Sequence, residues 1–249
     1  MFTLEPRLAR TLLVIAIVVV YLPMLGGGFV WDDHLLVVDN QLTDSLANIP
    51  AMFQTDLWSA TPVPEPKPGF YRPLMLVDLA ITRAVGGLDP WLHHVHNLMW
   101  HGAAVMLLLT LLKRITKDPI AAILGAAVFA LHPVQLEVVG FVSARNDPMA
   151  VTWLLAALLL LSQEAPSRKA LVGGALASAA AMLCKESVVF APVLLAFASR
   201  VRWGGWGTRG AHGAVLSGVG VAVAMRMLAG VGTPAQADWP HLVAITGPA

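Results

Sequence analysis

Seven apolar runs divide this chain, at about residues 8–25, 93–112, 119–132, 149–163, 169–184, 187–199 and 211–230. Nothing else in the sequence restricts the fold so tightly. An average soluble domain is roughly 25% charged. Here 12% of the 249 residues are charged and 57% are hydrophobic, too few polar groups to clothe a water-soluble particle. The pattern predicts an all-α polytopic membrane protein, a bundle of about seven transmembrane helices, although several runs fall short of the roughly 20 residues a span needs. The first run follows Arg7 and Arg10 like the core of a signal peptide. It ends in Gly26-Gly27-Gly28 rather than a small-x-small cleavage site, and more spans follow, so it reads as a retained helix.

Charge placement tests this topology. With the N-terminus in the cytoplasm, Arg7, Arg10, Lys113, Arg114, Lys117, Arg168, Lys169, Arg200, Arg202 and Arg209 fall inside. Lys67, Arg72, Arg83, Arg145 and Lys185 fall outside, and Arg226 lies within the last run. Ten against five is the positive-inside bias. Of the 15 carboxylates, 12 fall outside. Acids carry little topological weight, so their asymmetry points to function. The net charge of +1 gives no electrostatic footprint for nucleic acid. A single cysteine, Cys184, excludes an intrachain disulfide and a cysteine-based zinc cage.

Residues 1–230 form one transmembrane domain on this reading, with residues 231–249 a short external tail, the start of a further region. The external loop 26–92 is its longest polar stretch. Leu46, Ile49, Phe53 and Leu57 recur at helical spacing, as do Leu74, Val77, Ile81 and Val85, predicting two interfacial amphipathic helices. Between them "TPVPEPKPG" reads as an extended, mobile loop.

Hydrophilic clusters collect on the outer side. They are Trp31-Asp32-Asp33-His34, Tyr71-Arg72-Pro73, the group His93, His94, His96 and Asn97, then His132 with Glu137, the stretch Ser143 to Asp147, and Lys185-Glu186. Ionisable groups at that depth cost several kcal/mol unless paired or wetted. Their shared level predicts one aqueous pocket. Duller readings stand beside it. Asp147 before Pro148 has the form of a helix N-cap. The histidines can sit among headgroups, or His93 and His96 can chelate a metal. Asp39 and Asp44 read as solvated, Lys185-Glu186 as an ion pair, and Arg72 as a snorkelling side chain. His212 and Arg226 read as structural.

Asp32-Asp33 lies between a helix and a strand-like "LLVV", where capping has no use for both acids. Chemistry does: one carboxylate takes a proton from an attacking hydroxyl, and its neighbour orients the acceptor or a cation. Arg72, Arg145 and Lys185 would complement an anionic leaving group such as phosphate.

"FVWDDHLLVVDN", "FYRPLMLVDLAI", "HHVHNLMWH", "FALHPVQLEVVGFVSARNDPMA" and "LCKESVVFAPVLL" occur in this order. Together they resemble the N-terminal membrane part of the transmembrane and tetratricopeptide-repeat-containing O-mannosyltransferases and their bacterial relatives. Those belong to the GT-C class of glycosyltransferases. The resemblance covers about residues 8–200. It implies a GT-C fold, a polyprenyl-phosphate sugar donor (mannose favoured), and inverting transfer to a protein or glycan hydroxyl on the external face. Carried over by motif, Asp32 and Asp33 are catalytic. His132 and Glu137, Arg145 and Asp147, and Lys185 and Glu186 match further motifs expected, with Arg72, around the donor phosphate. A divalent cation is compatible with such a site. No tetratricopeptide repeats follow, so the alternative is a catalytically inactive, GT-C-like scaffold or lipid-binding subunit. A transporter is disfavoured, because the charge gathers at one surface rather than the midplane.

Overall fold

The computed structural model describes residues 6–63 and 69–231, and among them every regular element is helical. Helices stand at all seven predicted positions: α1 (Pro6–Tyr21), α4 (Pro90–Thr116), α5 (Pro119–Leu131), α7 (Asn146–Leu161), α8 (Arg168–Cys184), α9 (Ala191–Trp203) and α10 (Arg209–Leu228). Three helical segments, Arg7–Gly26, Pro90–Thr116 and Arg209–Leu228, are long and apolar enough to cross a membrane. The helices α5, α7, α8 and α9 have 13, 16, 17 and 13 residues, short of a full straight span, and a six-residue helix, α6 (Gln135–Gly140), lies between α5 and α7.

Local chemistry sets the helix ends. Asp89 accepts the Trp91 N–H at the start of α4, and Asp118 accepts those of Ile120 and Ala121 at α5. Ser167 and Thr208 cap α8 and α10 in the same way. Such caps satisfy amides that have no partner within the helix. Lys117 closes α4 in the left-handed conformation (φ 57°).

Short connections join α4 to α5, α7 to α8 and α9 to α10, so that each pair runs antiparallel. Three clusters fill the interior. Leu13, Ile17 and Tyr21 of α1 pack on Val105 and Leu109 of α4 and on Ala122, Ala126 and Ala130 of α5. The first run is thus a working part of the bundle. Leu155, Leu158 and Leu161 of α7 meet Ala181, Leu195, Ala211 and Val215 from α8, α9 and α10. The α8–α10 contact is close: a Cβ added at Gly218 would lie 2.2 Å from the Ala175 carbonyl oxygen. Small residues at such crossings let backbones approach and dispersion contacts accumulate.

The third cluster belongs to the 26–92 region. Leu36, Val37, Met52 and Leu57 pack on Met75, Leu76 and Leu79 of α3 (Pro73–Gly86) and on Val142, forming a cap on one end of the bundle. Two expectations are corrected here. "LLVV" is a π-turn, His34–Val38. With no strand beside it, its backbone groups bond locally, as in Asp39 N–H to His34 O at 2.8 Å. The first amphipathic helix is broken into 3₁₀ turns and a single α-turn, α2 (Ile49–Met52). Asn40 and Ser45 side chains accept the Leu42 and Ala47 amides and compete with a continuous helix. Of its apolar side chains Leu57 is buried, Ile49 and Phe53 are half-buried and Leu46 is exposed. Asp44 is ion-paired with Arg83 at 2.6 Å rather than freely solvated. Residues 64–68 of the proline-rich stretch, with Lys67, and the tail from 232 lie outside the described residues.

Candidate functional site

The twin aspartates divide. Asp33 is fully buried, its Oδ1 accepting the Ser143 N–H at 2.7 Å and its Oδ2 the Val30 N–H at 3.2 Å. It ties the turn after α1 to the 3₁₀ turn Val142–Arg145. Asp32 then faces outward and is exposed. Trp31, held in the left-handed region at φ 49°, stacks on Phe141 with centroids 5.2 Å apart. Asp33, expected beside the acceptor, therefore acts on the loop backbone.

Arg145 is the second departure. The sequence points it at a donor phosphate, but the structure buries it completely. Its Nε donates to Asn97 Oδ1 at 2.6 Å. Nη1 donates to Asp78 Oδ2 at 3.1 Å and Thr82 Oγ1 at 2.8 Å, and Nη2 to the His93 carbonyl at 2.9 Å. Asp78 also accepts from Trp100 Nε1 at 3.2 Å, and its Oδ1 stands 3.6 Å from His96 Nε2. This knot joins α3, α4 and the 142–145 turn. Burial lowers the guanidinium pKa to about 10 against the pull of Asp78, so Arg145 stays charged at neutral pH. His93 and His94 are buried rather than set among headgroups. Phe29 meets His93 edge-on at 5.4 Å, and His93 Nε2 lies 3.2 Å from the Gly87 carbonyl oxygen.

Above the knot lies an open cleft of about 400 Å³. Its lining includes Trp31, Asp32, Arg72, Glu137, Ser143, Asn146, Asp147 and Lys185. Lys185 is ion-paired with Asp147, which sits in the first turn of α7 without capping it. Arg72 donates from Nε and Nη2 to one Glu186 oxygen at 3.1 and 3.0 Å. The other Glu186 oxygen accepts the Tyr71 N–H at 3.3 Å, with Arg226 Nη1 at 3.9 Å. Arg226 also donates to the Gly69 carbonyl at 2.9 Å. Both cleft cations are thus held at fixed positions, each beside a carboxylate.

Of the residues singled out by motif, Asp32, Arg72, Glu137, Asp147 and Lys185 line this one cleft. Glu186 stands behind Arg72, while Asp33 and Arg145 lie beneath the wall. His132 is exposed and off the cleft, its Nδ1 accepting the Val134 N–H at 3.2 Å. Sequence reasoning did not identify Asp78, Thr82 and Asn97 as the partners of Arg145, nor Trp100 as a further donor to Asp78. The available signal was spacing: 78 and 82 on one helix, 93, 97 and 100 on the next, are stripes of polar-capable side chains one turn apart. Among the described residues no three His, Cys, Asp or Glu side chains gather as for a metal ion. Both Asp33 oxygens are engaged by amides, and among the described residues Asp32 and Asp33 do not join a third such ligand.

No protein-family profile matches the chain. No solved structure matches it. Curated relatives do. Protein O-mannosyl-transferase Tmtc2 of Drosophila melanogaster is 30% identical over 187 residues, 72% of this chain and 20% of the relative. Protein O-mannosyl-transferase Tmtc1 of the same organism is 27% identical over 178 residues, 71% of this chain and 21% of the relative. Human protein O-mannosyl-transferase TMTC2 is 29% identical over 178 residues, 68% of this chain and 21% of the relative. The chain spans about a fifth of the length of these relatives. Over about 70% of its own length it is homologous to the transmembrane and tetratricopeptide-repeat protein O-mannosyl-transferases, the family its motifs resemble.

Proposed function

We propose that the chain is the membrane-embedded part of a GT-C-type glycosyltransferase that moves a sugar, mannose by analogy with its relatives, from a polyprenyl phosphate to a protein hydroxyl. It crosses the membrane several times, with its N-terminus in the cytoplasm and the cleft on the external face. One observation carries this reading: an exposed carboxylate, Asp32, shares a cleft with two cations, Arg72 and Lys185, at one end of an apolar bundle.

The chemistry follows from that set. Asp32 accepts the proton of the acceptor hydroxyl as its oxygen bonds to the anomeric carbon. The bond from that carbon to the phosphate oxygen breaks on the opposite side, so the configuration inverts. The polyprenyl phosphate leaves with the bonding electrons. Lys185 and Arg72, held beside Asp147 and Glu186, stabilise its growing charge without reorganising. Arg145 and Asp33 act from below, fixing the backbone that presents Ser143, Asn146 and Asp147.

Proton abstraction by a positioned base is worth about 10²- to 10⁴-fold. The test is transfer from radiolabelled polyprenyl-phosphate mannose by purified protein. Asp32→Asn retains the fold and loses at least roughly a hundredfold of the rate on that estimate. A variant keeping more than about a tenth of the activity removes Asp32 from the role of base. The second reading, a non-catalytic lipid-binding shell, is favoured by the neutralisation of both cations by carboxylates. It predicts donor binding without turnover in the same assay.

A further inference from the structure

The cleft just described sits where α7 and α9 begin. At the other end, the last turns of α4, α7 and α9 come together around a second cleft of about 310 Å³. Arg114, Ser162, Gln163, Arg202 and Trp203 line it. It contains two arginines and no carboxylate.

Helix C-termini attract cations, so capping alone deserves to be weighed first. It accounts for part of Arg114, whose Nη1 donates to the Leu159 carbonyl at 2.8 Å. It does not account for Arg202, whose side chain makes no capping bond to a described residue and whose guanidinium carbon stands over the Trp203 ring, 4.3 Å from its centroid. Trp203 in turn donates from Nε1 to the Ser162 carbonyl at 3.1 Å, so the stacked platform is anchored. Neither arginine forms an ion pair with a described carboxylate, although Glu164 stands in the same turn. In the upper cleft the cations carry carboxylate partners; here two guanidinium groups keep most of their donors unspent.

The surroundings narrow the ligand. Val193, Phe197 and Val201 of α9 are 65%, 66% and 49% exposed and recur every fourth residue, an apolar stripe running up to Arg202. Trp203 and Trp206 are exposed where that stripe ends, as aromatic side chains are at a bilayer boundary. An anionic headgroup over arginines, continued by chains along an apolar stripe, is the chemistry of a phospholipid. Guanidinium groups match phosphate oxygens in geometry as well as charge.

We infer that this cleft binds the phosphate of an anionic phospholipid, its acyl chains lying along α9. The site rests on the membrane reading and not on glycosyl transfer. Binding of phosphatidylglycerol, phosphatidylcholine and inorganic phosphate to the detergent-solubilised chain is measured by native mass spectrometry. Phosphatidylglycerol is expected to bind at least about tenfold tighter than phosphatidylcholine, and Arg202→Gln to remove about that factor, the size of one charge-assisted hydrogen bond. The Arg202 side chain makes no hydrogen bond among the described residues, so this variant is expected to keep the fold, which its unfolding midpoint verifies. Lys169→Gln, at the same end but outside the cleft, leaves the affinity unchanged. Equal binding of the two lipids, or equal losses in the Arg202 and Lys169 variants, overturns the proposal in favour of a diffuse basic surface. Full displacement of the lipid by millimolar inorganic phosphate overturns it in favour of a simple anion site.

Discussion

Arg145→Met tests the account of what holds the upper cleft together. The side chain is fully buried and makes four hydrogen bonds, one to a carboxylate. Methionine fills much of the volume but leaves Asp78 without its cation and Asn97 Oδ1 and the His93 carbonyl without donors. Removing one partner of a buried pair costs about 3–5 kcal/mol. For a chain of this size that lowers the unfolding midpoint by roughly 6–20 °C. Asp78→Asn strands the guanidinium instead and costs a similar amount. The double variant strands neither charge. It is expected to lie within about 1–2 kcal/mol of the worse single variant, because contacting residues are not additive. Thermal unfolding of the four proteins in one detergent closes the cycle. A shift below about 1 kcal/mol for either single change, or strict additivity, would refute the knot as a stabilising unit.

Three further outcomes are expected. Lys185→Gln raises the apparent KM for the lipid-phosphate donor by about tenfold or more, the scale of one charge-assisted contact, in the transfer assay used for Asp32; an unchanged KM leaves Lys185 a purely structural partner of Asp147. Gly218→Ala forces α8 and α10 apart, because the new methyl meets backbone rather than a flexible side chain, and costs about 1–3 kcal/mol in the unfolding assay; a neutral change would show that the α8–α10 crossing gives way easily. Tyr71 is buried, its hydroxyl donates to the Phe53 carbonyl at 2.8 Å, and burial raises its pKa above 10.0. A raised folded pKa means that the folded state holds the proton longer. The stability Tyr71 supplies is therefore full below pH 10.0 and is lost as pH rises through the folded value. Arg145, with its pKa lowered, contributes the opposite slope at high pH, but that term cancels between wild type and Tyr71→Phe. The difference in stability between these two proteins should shrink above pH 10.0; a constant difference contradicts the assignment.

The seven helices were legible because apolar periodicity and its interruption by charge are local properties of the chain. Asp118 before Pro119 and Ser167 before Arg168 mark helix starts by their own side chains. The motifs that carry the family resemblance were legible for the same reason, as short ordered strings. The clusters of ionisable residues were also visible, and Asp32, Arg72, Glu137, Asp147 and Lys185 from them line the cleft.

What could not be read was which acid of a pair faces water. Asp32 and Asp33 are chemically identical and adjacent. Only the Ser143 and Val30 amides, one of them 110 positions away in sequence, turn one inward. Arg145 likewise carries the same formal charge as Arg72. Packing against Asp78, Asn97 and Thr82 makes it a buried brace, while Arg72 stays on the cleft wall. The positions and order of the long apolar helices are written in local patterning, because a run of apolar side chains bounded by polar groups and caps is a property of each segment. Which charged residues are buried and which line the cleft follows only from the packed fold, because desolvation and partner distance belong to an arrangement of segments and not to any residue within one.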